Sequence, residues 1–225
     1  MVLIYYDIET TGLENESRII EIAAYREDTN TYFHELINPG CPIPPESTKI
    51  HKITDKDVKN ALNISQVLQE FNEFCKSKEM ILVAHNNDKF DKIILQHEYK
   101  RSNIEIPMFQ YMDTLKIART LEPELSSHTL TSLASHYKVD SGEAHQAMTD
   151  ISNMYKVYQQ LKQDKTDEDM LKISQEYKMD RLPFGKHKGV LIKDIPESYI
   201  RWMMTTNILD DPDIRKAVST YFNID

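Results

Sequence analysis

Cysteine is almost absent from this chain: its 225 residues hold only Cys41 and Cys75. Two thiols cannot build a disulfide framework, and these lack the close spacing of a metal-binding pair, so both read as packing residues kept reduced. Long apolar runs are missing too. The strongest, Val2 to Tyr6, has no positive flank, is too short for a signal segment or membrane span, and leads straight into Asp7. A cytoplasmic protein without membrane association is expected. The chain also lacks an excess of positive charge. A formal charge of −9 argues against gripping nucleic acid through overall electrostatics. A local site built of carboxylates and neutralised by cations remains compatible with that balance. With 40% hydrophobic residues there is enough apolar material for a sizeable core, and no internal repeat or low-complexity tract interrupts it.

Val2 to Glu9 reads as a strand, rich in β-branched and aromatic residues and closed by the polar turn Thr10-Thr11-Gly12. Arg18 to Arg26 and Thr31 to Asn38 predict two further strands, an antiparallel start to a sheet. Pro39 to Asn60 carries Pro39, Pro42, Pro44 and Pro45 and reads as a long connection with brief helices at most. Ile64 to Lys76 has helical apolar spacing, Met80 to Ala84 fits a buried strand, and Asp88 to Arg101 reads as a helix. A short strand near Gln110 to Met112 follows, then helices from Asp113 to Leu121, Thr129 to Tyr137 and Glu143 to Leu161, with Asp113 as a cap. Strands alternating with helices imply an α/β domain with a mixed sheet.

Asp7 and Glu9 lie two apart on the first strand, so the period-two alternation points both side chains to one face. Burying two carboxylates side by side is costly unless a cation, a base or a proton compensates. An isolated Asp-x-Glu more often marks a strand end whose acids face solvent, so the pair needs company. Asp91 follows His85-Asn86 where a strand hands over to a helix, a favoured place for active groups in α/β sheets; the alternative is a solvated helix-start acid. His145 and Asp150 are five positions apart, about 140° around an ideal helix, and cannot share a face. If both serve one site, His145 belongs in or beside the loop from Asp140 to Glu143. Histidine's near-neutral reference pKa suits a general base there; otherwise it is an exposed loop residue.

Asp7-Ile-Glu9-Thr-Thr-Gly-Leu13, Val83-Ala-His-Asn86 with Phe90-Asp91, and Glu143-Ala-His145-Gln-Ala-Met-Thr-Asp150 resemble, in order and spacing, the three motifs of the DEDDh exonucleases. That group includes proofreading exonucleases and RNase T. The stretches Ile37 to Pro45, Ile50 to Thr54 and Asp113 to Arg119 are similar to the same family, and the resemblance covers residues 1–162. It implies an RNase H-like mixed central sheet flanked by helices, and two magnesium or manganese ions. By the same resemblance Asp7 bridges both ions, Glu9 and Asp150 complete one site, and Asp91 supports the second. His145 would take a proton from the attacking water, releasing nucleoside 5′-monophosphates from a 3′ end. Thr10, Thr11, Gly12 and Leu13 would bring backbone and an apolar side chain to the terminal nucleotide. His85 and Asn86 would position Asp91 or touch the strand, with a hydrogen-bonded structural role as the alternative.

Lys162 to Asp169 is almost wholly polar and marks a boundary, with a linker and short helix over 163–177 and a small accessory module over 178–225. Between Lys178 and Lys193 five Lys or Arg face one acid, Asp180, a local charge of five minus one, or +4. Leu182-Pro-Phe-Gly-Lys-His-Lys-Gly189 resembles the tail of the bacterial exonuclease X group. Lys186 and Lys188 there could meet phosphate, or the run could be a basic hairpin packed through Trp202. The partner expected is DNA, as single strands or duplex 3′ ends. An RNA-directed exonuclease, a catalytically inactive nucleic-acid-binding module and a homodimer stay open, because the motifs do not specify the sugar or the oligomer.

Overall fold

The computed structural model describes residues 1–139 and 146–223. In chain order they form β1 (Val2–Thr10), β2 (Ile19–Arg26), β3 (Thr31–Asn38), α1 (Pro45–His51), α2 (Asp55–Val58), β4 (Leu62–Asn63), α3 (Ile64–Cys75), β5 (Met80–Ala84), α4 (Asp91–Arg101), β6 (Gln110–Asp113), α5 (Thr114–Leu121), α6 (Leu130–Tyr137), α7 (Ala147–Lys162), α8 (Asp167–Glu176), α9 (Glu197–Met204) and α10 (Pro212–Ser219). The strands make one mixed sheet in the order β4-β3-β2-β1-β5-β6. β1, β2 and β3 form an antiparallel meander, β5 runs parallel to β1, β6 to β5, and β4 to β3. This is the α/β, RNase H-like arrangement the motifs imply. No helix among the described residues is long and apolar enough to cross a membrane.

The two faces of β1 do different work. Ile4, Tyr6 and Ile8 pack with Leu68 and Phe71 of α3 and with Ile94, Leu95 and Tyr99 of α4. On the other face Tyr5 meets Tyr155 and Tyr158 of α7 edge-on, with ring centres 5.3 and 5.6 Å away. Burying each of these large side chains contributes about 1.5–3 kcal/mol, so both helix layers are held firmly against the strand. The fully buried Asn87 ties the β1–β5–β6 side of the sheet together. It accepts the Tyr6 hydroxyl at 2.6 Å and donates its amide to the carbonyls of Leu82 at 3.3 Å and Met112 at 3.1 Å.

The chain forms two compact units, Met1–Leu121 with Ser127–Gln175, and Glu122–Ser126 with Glu176–Asp225. The polar run after Lys162 does not end the first unit, because α8 buries Met170, Leu171 and Ser174. The Ser174 hydroxyl accepts the Asp113 amide at 2.8 Å, and Asp167 binds Lys162 at 2.6 Å and the Tyr158 hydroxyl at 2.8 Å. The second unit has its own apolar core, with Leu182, Ile192, Met203 and Val218 at its centre.

Asn87→Ala strands buried polar partners on three strands. It is expected to lower unfolding stability by about 2–4 kcal/mol, read as a lower urea midpoint with an unchanged slope. A loss under about 0.5 kcal/mol would show that the stitch is dispensable.

Candidate active site

β5 pairs with β1 only from Val2↔Met80 to Tyr5↔Val83, whereas β2 stays paired as far as Thr10. Beyond Tyr5 one edge of β1 is therefore open. A cleft of about 380 Å³ lies there, lined by Asp7, Glu9, Asp91 and Asp150, with Leu13 and His51 among its walls. It sits outside the carboxyl ends of the parallel strands, where ligands bind in open α/β sheets.

Asp7 and Glu9 continue the Leu3 and Tyr5 face of β1, the face that α7 covers. The buried stripe of α7 runs through Ile151, Met154, Tyr158 and Leu161, and Asp150 lies one turn before Met154, so it extends that stripe into the cleft. One carboxylate oxygen each from Asp7, Glu9 and Asp150 lies within 4.8 Å of the others. Asp91 is the first residue of α4 and only 4% exposed. The helix begins there and not at Asp88, because a 3-10 turn over Asn87–Lys89 comes first, entered through Asn86 at φ 67°. Asparagine tolerates that left-handed backbone. The turn is held from β6: the Asp113 carboxylate accepts the amides of Asn86 at 2.9 Å, Asp88 at 3.2 Å and Leu115 at 2.9 Å. Asp113 is thus both the helix cap read from sequence and the anchor of the segment that aims Asp91.

The cleft is electrostatically strained. Burial raises Asp7 well above the usual carboxylate range, and its strongest charged neighbours, Asp91, Asp150, Glu9 and Glu21, push the same way. Glu9 rises to about 8 through burial, then Glu21, Asp150 and Asp91. Glu21 stands directly across from Glu9 on β2 and holds His34 at 2.6 Å. Asp91 rises to about 7, chiefly through burial and partly offset by backbone donors. Hard oxygen donors gathered this closely suit a hard divalent cation, which would relieve the repulsion.

The other predicted residues fall in different settings. Thr10 turns its hydroxyl to the Gly12 carbonyl at 2.5 Å, and the Thr11 hydroxyl accepts the Arg18 amide at 2.9 Å. Leu13 stands 80% exposed at the cleft mouth. Asn86 lines the cleft. His85 also lines it, but both its ring nitrogens are engaged within the fold, with the Thr114 hydroxyl and the His128 carbonyl at 2.9 Å each, and burial lowers its pKa to about 4. Lys186 and Lys188 belong to the second unit. His145 lies outside the described residues.

Further residues that the sequence did not single out shape the cleft and its loop. Ser47 of α1 donates to the Thr11 carbonyl at 2.8 Å and borders the cleft. His51 accepts the Ile53 amide on Nδ1 at 3.0 Å, which leaves Nε2 as the donor nitrogen. Glu98, fully buried on α4, accepts Arg18 and Arg101 at 2.8 Å each and the Ile19 amide at 3.3 Å, and His97 reaches the Asn15 carbonyl at 2.8 Å. These contacts clamp the loop that carries Gly12 and Leu13. The Ile50-His51 segment was visible as motif-like; Glu98 gave no local signal.

Residues 4–158 match the RNase T family, described as "Exonuclease". The chain belongs to this exonuclease family. Residues 168–211 match a second family, described as "Putative quorum-sensing-regulated virulence factor". Among curated relatives of the exonuclease region, "DNA polymerase III PolC-type" of Streptococcus pneumoniae (strain D39) is 39% identical over 151 residues, covering 65% of this chain and 10% of that protein. The Streptococcus mutans protein of the same name is 38% identical over the same length. The chain thus spans about a tenth of the length of these relatives. Similar folds occur in exonuclease X in complex with 5′ overhanging duplex DNA (TM-score 0.59, 24% identity, 76% of this chain and 99% of that one). Escherichia coli exonuclease I in complex with a dT13 oligonucleotide is similar as well (TM-score 0.65, 18% identity, 72% and 41%).

A carboxyl whose pKa is higher in the folded than in the unfolded state favours folding when protonated, so its contribution is present at low pH and lost as pH rises. Glu9 moves from 4.5 to about 8 and Asp91 from 3.8 to about 7. Metal-free protein should therefore lose thermal stability as pH rises from about 4 to 8. A divalent cation held by the deprotonated acids would raise Tm more at about pH 8 than at about pH 5.5. Melts with EDTA or added metal across this range check it; a metal-free Tm that climbs with pH contradicts the buried acid cluster.

Proposed function

We propose that this chain is a 3′→5′ exonuclease that hydrolyses DNA from its 3′ end to nucleoside 5′-monophosphates. The observation that carries the reading is the meeting of Asp7, Glu9 and Asp150 within 4.8 Å in one cleft of a chain of the exonuclease family. Asp7, Glu9, Asp91 and Asp150 are the residues that would hold two divalent ions, magnesium or manganese. Such ions lower the pKa of a water molecule and offset charge on the attacking and leaving oxygens of an in-line displacement. His145, from the third motif, accepts the proton of the attacking water, a task for which its near-neutral reference pKa suits it. Gly12 and Leu13, on a loop clamped by Glu98 and Ser47, present backbone and an apolar side chain to the terminal nucleotide. Asn86 borders the strand's path. His85 has a supporting part, since its nitrogens tie β5 to Thr114 and His128.

DNA is favoured over RNA because exonuclease X and exonuclease I carry DNA in the similar structures, and because the curated relatives are named DNA polymerases. The deciding assay is the purified chain with 3′-labelled and 5′-labelled strands of DNA and RNA, with and without magnesium. Metal-dependent shortening from the 3′ end is expected; its absence refutes the proposal. Asp7→Ala and Asp150→Ala should each lower turnover by more than about a hundredfold, since a direct ligand matters more than the outer hydrogen-bond partners, whose loss costs about 10- to 100-fold. His145→Ala should lose most of the rate while metal still raises Tm. Either aspartate variant remaining within about tenfold of wild type would remove that residue from the ligand set.

A further inference from the structure

We propose that the second unit carries a single-strand nucleic-acid platform, with Trp202 as a base-stacking surface and Lys186 and Lys188 as its phosphate contacts. The proposal rests on nucleic acid being the substrate and adds a binding site separate from the carboxylate cleft.

Trp202 is the sole tryptophan of the chain, and it is 47% exposed. Its helix, α9, buries Tyr199, Ile200 and Met203 in the unit's core, so the core is complete without burying the indole. The ring lies against Tyr199, with centres 4.9 Å apart and planes tilted by 33°. The Lys186 ammonium sits 5.2 Å above the same Tyr199 ring, and His187 meets it edge-on at 4.6 Å. Gly185 makes this approach possible: its φ is +66°, and an added Cβ would stand 2.5 Å from the Tyr199 hydroxyl. Only glycine lets the basic turn lie on the aromatic pair.

The turn is rigid. The Gly189 amide donates to the Leu182 carbonyl at 2.8 Å, and Arg181 donates to the Gly189 carbonyl at 2.8 Å. Lys186 and Lys188 are both exposed and form no ion pair among the described residues. An exposed indole lying against a tyrosine that also carries the Lys186 ammonium, with Lys188 two residues along the same turn, matches the two parts of single-strand recognition, a π-surface for a base and positive charge for the backbone. A duplex hides its base faces, and an acidic protein surface would satisfy the lysines but leave the indole without a stacking partner.

The test uses the full chain in EDTA, titrated with an oligothymidylate while the fluorescence of the sole tryptophan is followed. Saturable quenching is expected. Because the Trp202 variants lack that fluorophore, their affinities are read from the anisotropy of a dye-labelled oligothymidylate: Trp202→Ala should weaken binding roughly tenfold, and Trp202→Phe should retain most of the affinity. The double variant Lys186→Ala, Lys188→Ala should make the log–log salt dependence shallower by roughly 1.4, about 0.7 for each phosphate contact. Unquenched fluorescence, wild-type affinity in Trp202→Ala, or equal quenching by a blunt duplex would each overturn the platform. Hydrolysis of a 3′-labelled strand in magnesium is read separately. Intact hydrolysis without quenching refutes the platform alone, whereas quenching without 3′ shortening supports the platform and refutes the exonuclease reading.

Discussion

Mutual repulsion among clustered, partly buried carboxylates is the constraint on which the first unit turns. Asp7, Glu9, Asp91 and Asp150 line one cleft, and Glu21 adds to the field from β2. Desolvation and like charge both favour the neutral acids, so the arrangement persists only with protons or cations to compensate. Fixing such groups together demands a scaffold that resists their separation. The tyrosine layer between β1 and α7, and the apolar layer between β1, α3 and α4, supply that resistance away from the cleft itself.

Two polar networks then set the positions that packing leaves loose. Asp113 and Asn87 work from the β5–β6 side, one holding the backbone ahead of Asp91 and the other joining three strands. Glu98, with Arg18 and Arg101, works from α4 and holds the loop bearing Leu13. In both, a buried acceptor gathers several donors, so each network stiffens a segment that would otherwise move as a surface loop. The second unit follows the same economy on a smaller scale: a glycine-permitted contact places a basic turn on Tyr199.

Much of the first unit was legible in sequence because its signals are local. Period-two alternation put Asp7 and Glu9 on one face, and the strands and the helical stripe of α3 appeared close to their observed bounds; α7, expected from Glu143, is described from Ala147 to Lys162, its expected start lying outside the described residues. Where reading and structure diverge, tertiary partners decided. The helix expected from Asp88 starts at Asp91 because Asp113, distant in sequence, captures the amides of Asn86 and Asp88. The polar run after Lys162 suggested a boundary, but α8 belongs to the first unit because Met170, Leu171 and Ser174 are buried there.

By itself the sequence determined which residues could bear the chemistry and on which kinds of element they stand, since side-chain type and backbone periodicity are properties of neighbouring positions. Only the tertiary structure decided that Asp150 meets Asp7 and Glu9, that both nitrogens of His85 are engaged internally, and that Glu98 braces the loop at the cleft mouth. Those outcomes depend on residues far apart in the chain, brought together by a sheet in which β5 stops short of the end of β1.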